Sequence, residues 1–418
     1  MAICSHGYCR TEKEEGVTVV RIPITKPYFD RRERELLVQP LDSGWVVQGP
    51  FVADFQSKFA SFTGATYALA TSNCTTALHL SLLALGIGKG DCVVVPSFTY
   101  VATANSVEAV GACPIFCDVD LRTFCMDPVE LEKILSEDKN KKIKAIMPVN
   151  QFGLCANLKK IRELADCYNV KMIEDCACSF GGFLDGRHSG TFGHTGCFSF
   201  HPRKAISTGE GGMVITNNVE TATKVSSLRD HGASKSDRDR HGQKGSFFLP
   251  DFNIVGYNFR MTDFQGALGV AQMEKAEMLL GARRALAARY DVALKDISQL
   301  TTPLVPEGYV SGYQSYVCLF ASDEDLNNLS INRINSLNEQ RNAFMYCLEE
   351  NGVTTRQGTH AVHTLGYYKE TYGLKDEQYI RSYAADRLSV ALPLYYGMTD
   401  EEFSYVINKI EEALISYA

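Results

Sequence analysis

The sequence predicts an α/β protein in which a large domain, built on a buried and mostly parallel sheet with helices on both faces, precedes a smaller C-terminal α+β domain. Three observations carry this. Short, nearly continuous apolar runs alternate with helical periodicities through the first half of the chain, as strands buried on both faces do. From about residue 262 that alternation gives way to helix, in TDFQGALGVAQMEKAEMLLGARRALAARYDVAL. A chain of 418 residues is also long enough for more than one domain.

Taken in order, residues 1–20 read as a tail, 21–265 as the large domain, and 266–418 as a linking helix and the smaller domain. Helices are expected in DRRERELLVQPL and FVADFQSKFASFTG. CTTALHLSLLALGIG has apolar residues at helical spacing and a glycine stop. DCVVVPSF is a β-branched run ended by proline, hence a strand. VATANSVEAVG (helix), PIFCDVD (strand), DPVELEKILSE (helix), KAIMPVN (strand) and ANLKKIRELADCYN (helix) keep the alternation. VKMIEDCA, GCFSFH and GGMVITNN follow as strands. The smaller domain includes GYQSYVCLFA and ends in the helix TDEEFSYVINKIEEALISY.

Composition narrows the function classes. Hydrophobic content of 45% and charged content of 22% are ordinary for a globular protein, and the formal net charge is −7. Without a long basic run, a nucleic-acid or anionic-membrane partner is not expected. The fourteen cysteines are spread through a chain whose start, MAICSHGYCRTEKEEG, has no apolar signal region, and no apolar run reaches membrane-span length. Free thiols in a reducing cytoplasm are the expectation. Cys4, His6 and Cys9 resemble metal ligands, but no CxxC pair answers them, and no metal is expected.

In sheets of this kind ligands bind beyond the carboxyl ends of the strands. Ser97 to Tyr100, Asp118, Asn150 and Asp175 all fall there, which points to a shared pocket. A carboxylate ending an apolar strand needs a partner, so Asp175 either caps the next turn or faces a cation. Lys204 lies in FSFHPRKAISTGEGG, between an apolar strand and a glycine run. A buried lysine loses preference for its charged form and becomes a usable nucleophile. A lysine that captures an aldehyde cofactor, opposed by an aspartate on its ring nitrogen, is the pyridoxal phosphate arrangement. In TSNCTTALHL small polar residues run directly into a helix, whose first N–H groups suit a phosphate, with Thr75 and Thr76 adding hydroxyls. Simple N-capping by Ser72, Asn73 or Thr75 explains the same pattern. Ser199 is a further phosphate contact.

SGWVVQGP, TSNCTTALHLSLLALGIG, PSFTYVATANSV, MIEDCACSFGG, FSFHPRKAISTGEGGMVITN and VGYNFRMTDFQGALG together resemble the DegT/StrS-type sugar aminotransferases, over roughly residues 20 to 418. The resemblance implies an aspartate aminotransferase-like, fold-type I large domain binding pyridoxal 5'-phosphate. It implies that Lys204 forms the Schiff base and shuttles protons, that Asp175 holds the pyridine nitrogen, and that Tyr100 stacks on the ring. Cys74, Thr75 and Ser199 fall at phosphate-binding positions. Asn258 matches an asparagine reaching the phosphate of the neighbouring subunit, implying a homodimer with shared active sites. Family members usually carry Gly at position 74, and Gln or His at 178 near the cofactor hydroxyl; here both are cysteine. Trp45 and Gln48 match a loop near the substrate. Arg356, His360 and His363 are candidate substrate contacts, whereas His188 and His194 read as loop residues.

The implied reaction is transfer of an amino group, with glutamate as the usual family donor, to a keto sugar, most often nucleotide-linked, in amino-sugar or polysaccharide biosynthesis. A family dehydratase replaces the lysine with histidine, and a non-catalytic regulatory relative would lose Lys204 or Asp175; both residues are present. A cyclitol or aminobenzoate precursor as acceptor stays open. No HExxH, Walker-type loop or GxSxG elbow supports hydrolase chemistry.

Overall fold

A computed structural model describes residues 13–14, 17–18, 21–234 and 250–415. The expected tail and the Cys4, His6, Cys9 motif lie outside the described residues, apart from Lys13–Glu14 paired antiparallel with Val17–Thr18. Seven strands form the central sheet: β1 (Tyr67–Thr71), β2 (Cys92–Pro96), β3 (Cys113–Cys117), β4 (Ile143–Ile146), β5 (Lys171–Asp175), β6 (Thr195–Ser199) and β7 (Gly212–Thr216). Their order is β1-β7-β6-β5-β4-β2-β3. Pairing is parallel from β3 through β6, while β7 runs antiparallel to both β6 and β1. Two features were not expected from sequence: β1, whose YALAT holds two alanines and little β-branching, and the reversal of β7.

Both sheet faces are covered, as continuous apolar strands require. Along β7 the side chains alternate: Val214 joins Ala77, Leu80, Val93 and Val95 on one face, while Met213 and Ile215 join Phe55, Phe59, Phe198 and Phe200 on the other. Phe59 meets the rings of Phe55, Phe180, Phe198 and Phe200, so truncating it to alanine should cost about 3–5 kcal/mol.

Five helices position the site: α1 (Pro50–Thr63), α2 (Cys74–Ala84), α3 (Ala102–Ala109), α4 (Asp263–Glu274) and α5 (Ala276–Leu294). Proline opens α1 and Gly64 ends it in the left-handed region that glycine adopts without strain. A capping box starts α2: the Asn73 side chain accepts from the Thr76 amide, and the Thr76 hydroxyl lies against the Asn73 amide.

The C-terminal part is built around the antiparallel pair β8 (Tyr316–Leu319) and β9 (Ser389–Leu392). Helix α5 spans both cores: Ala276, Leu279 and Leu280 pack with the large sheet, and Leu286, Ala287, Tyr290 and Leu294 pack with Tyr316, Phe344 and Ile410. Ile22, placed in the large domain from sequence, packs in this second core and bridges Val353. His360–Ala361 pairs with Phe98–Thr99, tying this part to the loop after β2.

Candidate active site

The carboxyl ends of β2, β5 and β6 open on a cavity of about 580 Å³, within the size range of small-molecule sites. Asp175 forms its floor. It ends β5, is 3% exposed, and pairs in register with Cys197 on β6. Its Oδ2 accepts from the Thr103 hydroxyl at 2.8 Å and its Oδ1 from the Ala177 amide at 3.0 Å. Thr103 has one proton and gives it to Asp175, so the Thr99 hydroxyl 2.9 Å away donates to Thr103 in turn. Burial pushes the Asp175 carboxyl above its ordinary range; the Ala177 amide, the Thr103 hydroxyl and the charge of Lys204 pull it part of the way back.

Lys204 sits on the loop between β6 and β7. That loop is held by backbone bonds from Lys204 to His201, Thr208 to Phe200 and Phe200 to Gly211. The lysine enters the cavity and donates from Nζ to Cys178 Sγ at 3.2 Å. The glycine run that follows is explained by close approach. A Cβ on Gly212 would lie 2.3 Å from the Asn73 carbonyl, where β7 passes the start of α2, and one on Gly211 would lie 2.3 Å from Thr208 Oγ1.

Cys74 and Thr75 occupy the first turn of α2, whose amides have no intrahelical acceptor. Both line the cavity, as does Ser199 at the end of β6. Burial, then the Asp175 charge, raises the Cys74 pKa, so this residue is a neutral thiol. Tyr100 lines the cavity and is 61% exposed, and Arg356 and His360 line it too, His360 paired with Thr99 beside Tyr100.

Several expected residues lie elsewhere. Asp118 accepts from Ser382 and Arg381, and Asn150 donates to Glu174, so these strand-end groups fasten the fold. His363 is fully buried, bonds Ser97 at 2.6 Å, and has its pKa pushed down to about 4 by burial; it does not line this cavity. His188, expected in a loop, is in the short strand Arg187–His188 and is buried, with its pKa likewise pushed down to about 4. Trp45 and Gln48 do not line this cavity: the indole donates to the Gln48 carbonyl, and the neighbouring Gly49 and Val52 amides are held by Asp263 of α4. Asn258 is also outside it, bridged through its backbone to Asp230. Sequence reasoning missed Thr103, which only the fold brings to Asp175, and also Arg203, His201 and Gln314 on the cavity wall.

The donor set fits pyridoxal phosphate. A buried carboxylate with two hydrogen-bond donors but no hydrogen-bonded cation suits a protonated ring nitrogen, the open first turn of α2 suits a phosphate, and a lysine amine lies between them in one cavity.

The chain matches the DegT/DnrJ/EryC1/StrS aminotransferase family over residues 27–411. It is 33% identical over 396 residues to GDP-perosamine synthase of Caulobacter vibrioides, covering 94% of this chain and 99% of that one. The spore coat polysaccharide biosynthesis protein SpsC of Bacillus subtilis is 31% identical over 391 residues, covering 94% and 96%. Among solved structures, Streptococcus pneumoniae Spr1654 in its PLP form has a TM-score of 0.83 at 25% identity, over 95% of this chain and 100% of that one. Matched along nearly its whole length, the chain belongs to the DegT/DnrJ/EryC1/StrS aminotransferase family and is a pyridoxal phosphate-dependent aminotransferase.

Proposed function

We propose that this enzyme transfers an amino group from L-glutamate to a nucleotide-linked keto sugar, in the biosynthesis of an amino sugar for a polysaccharide or glycan. The observation that carries it is the joint presence of the Lys204 amine and the Asp175 carboxylate on a cavity of about 580 Å³, large enough for cofactor and a sugar ring. The names of the relatives, a GDP-perosamine synthase and a spore coat polysaccharide protein, support the sugar acceptor.

Bound here, pyridoxal phosphate supplies an aldehyde that captures amines and a ring that accepts electrons. Cys74, Thr75 and Ser199 would hold its phosphate through the first turn of α2 and the Ser199 hydroxyl. Asp175, kept in place by Thr103 and Ala177, holds a proton on the ring nitrogen. Tyr100, which lines the cavity, would cover a ring face. With the cofactor bound, the Lys204 amine would relay a proton between the nitrogen-bearing carbon of the substrate and the cofactor's aldehyde carbon, off the donor in the first half and onto the acceptor in the second. Cys178 orients that amine through the bond at 3.2 Å.

The working unit is a homodimer in which Asn258, Trp45 and Gln48 serve the neighbouring copy's site. Leu41, Val47, Phe252 and Val255, exposed by 64%, 51%, 59% and 86%, are apolar side chains that such an interface would cover. The large domain runs to about residue 265 and the smaller one follows α5. The proposed location is the cytoplasm; no helix among the described residues is long and apolar enough to cross a membrane.

The test is a panel: purified enzyme, L-glutamate, and UDP-, GDP- and dTDP-linked keto sugars beside cyclitol and aminobenzoate-type ketones. Formation of 2-oxoglutarate and an amino sugar only with the nucleotide-linked ketones is the expected result. Amination of the other ketones alone would overturn the assignment.

A further inference from the structure

The cavity wall carries two guanidinium groups, Arg203 and Arg356. Neither side chain has an ion pair or hydrogen bond among the described residues. Other arginines of this chain that reach a carboxylate pair with it: Arg32 with Glu274, Arg260 with Asp230, Arg381 with Asp127. Both are exposed and line one cavity, so an anion entering that cavity can reach them.

Their backbones are fixed on different elements. The Arg203 carbonyl accepts from Gln314 at 3.0 Å, and its amide donates to His201 Nδ1. Arg356 is bridged to Ala391 of β9, its carbonyl accepting at 2.6 Å. His201 lines the same cavity as both side chains. Its charged form is disfavoured first by burial and then by Arg203, Lys204 and Arg356, with Glu210 opposing. Arg203, Arg356 and Lys204 thus lie within Coulombic reach of one imidazole.

Resting on the aminotransferase function proposed above, we propose that Arg203 and Arg356 form a two-pronged anion site that positions substrate beside Lys204, taking a carboxylate of the amino donor or a phosphate of the acceptor. An enzyme that admits two different substrates in turn to one cavity needs groups that recognise what they share. Here the shared feature is negative charge, and the guanidinium fork fits carboxylate and phosphate oxygens alike. The cofactor phosphate is left to Cys74, Thr75 and Ser199. Because Arg203 stands on the loop after β6 and Arg356 on the segment bridged to β9, one anion held by both links the two parts of the chain.

The experiment uses holoenzyme of wild type, Arg203→Gln, Arg356→Gln and the double variant. Cofactor content is read by visible absorbance. Donor affinity is read from the concentration dependence of absorbance bleaching by L-glutamate, and phosphate affinity from calorimetric binding of UDP, GDP and dTDP. Each substitution should weaken at least one probe about tenfold, and the double variant more, with cofactor retention and the limiting bleaching rate near wild type. Loss confined to glutamate assigns the donor carboxylate; loss confined to the nucleotides assigns the acceptor phosphate; either supports the site. Wild-type affinities for both probes in the double variant would overturn it, as would loss of cofactor instead of substrate, or a wild-type enzyme that binds neither probe. A wild type that ignores glutamate yet binds nucleotide in an arginine-dependent way would instead refute the donor while leaving the anion site standing.

Discussion

Thr103→Val replaces a hydroxyl by a methyl at almost constant volume, in a residue 1% exposed. The lost bond, 2.8 Å from Thr103 Oγ1 to the Asp175 carboxylate, is of the kind worth about 1.5–3 kcal/mol when the acceptor is charged. The substitution also leaves the Thr99 hydroxyl, itself 1% exposed, without the acceptor it has at 2.9 Å, at a further cost of about 1–3 kcal/mol. The first loss falls on the charged form of Asp175, whose pKa burial already raises, so the variant moves it further in the same direction. A carboxyl that keeps its proton cannot hold one on a ring nitrogen. Cofactor binding at neutral pH should therefore weaken at least about tenfold, since 1.4 kcal/mol is a factor of ten. Thr103→Ser, which keeps the donor, should stay within about threefold of wild type. The assay is a titration of cofactor-free protein with pyridoxal phosphate, followed by visible absorbance, beside urea unfolding of the same samples. A valine variant that binds cofactor as tightly as wild type would refute the assignment of Thr103 as the group that keeps Asp175 charged.

Other perturbations have equally definite expectations. Asp175 has a folded-state pKa above its ordinary 3.8, so the cofactor-free protein loses stability as pH rises from there through the raised value. Asp175→Asn should flatten that dependence and make the cofactor-free protein more stable at pH 7 in urea unfolding, while amino transfer collapses. Gly212→Ala places a Cβ 2.3 Å from the Asn73 carbonyl and should cost about 3 kcal/mol or more, with loss of cofactor binding, measured by thermal unfolding and absorbance. Cys178→Ser keeps a hydrogen-bond partner for Lys204 Nζ and should retain turnover; Cys178→Val removes it and should slow the glutamate-driven bleaching without unfolding the protein.

What the sequence made legible, and what it did not, follows from the range of the interactions. β2, β5 and β6 were readable because runs such as VVV and MIE suit a strand buried on both faces, and local composition carries that signal. β1 was not, because YALAT owes its extended form to pairing with β7 across more than a hundred residues. Asp175 and Lys204 were readable from their places at strand ends beside glycine. Asp118 and Asn150 share that placement, yet they bond Ser382 and Glu174, since a strand end fixes position and not direction. Thr103 carried no signal at all: it is a helix residue, and only the packing of α3 against α2, β2 and β3 brings it to the carboxylate at the end of β5. Trp45 and Gln48 show the opposite case, a motif whose place in one chain is away from the cavity, held against α4 through Asp263.

The central claim is that Lys204 and Asp175 work on pyridoxal phosphate to move an amino group. It is tested most directly by the visible spectrum of the purified protein before and after L-glutamate, run beside Lys204→Ala. The account predicts a yellow wild type that glutamate bleaches, and a variant that does not bleach on the same timescale. A colourless wild type that pyridoxal phosphate fails to reconstitute, or a Lys204→Ala protein that bleaches as fast as wild type, would contradict it.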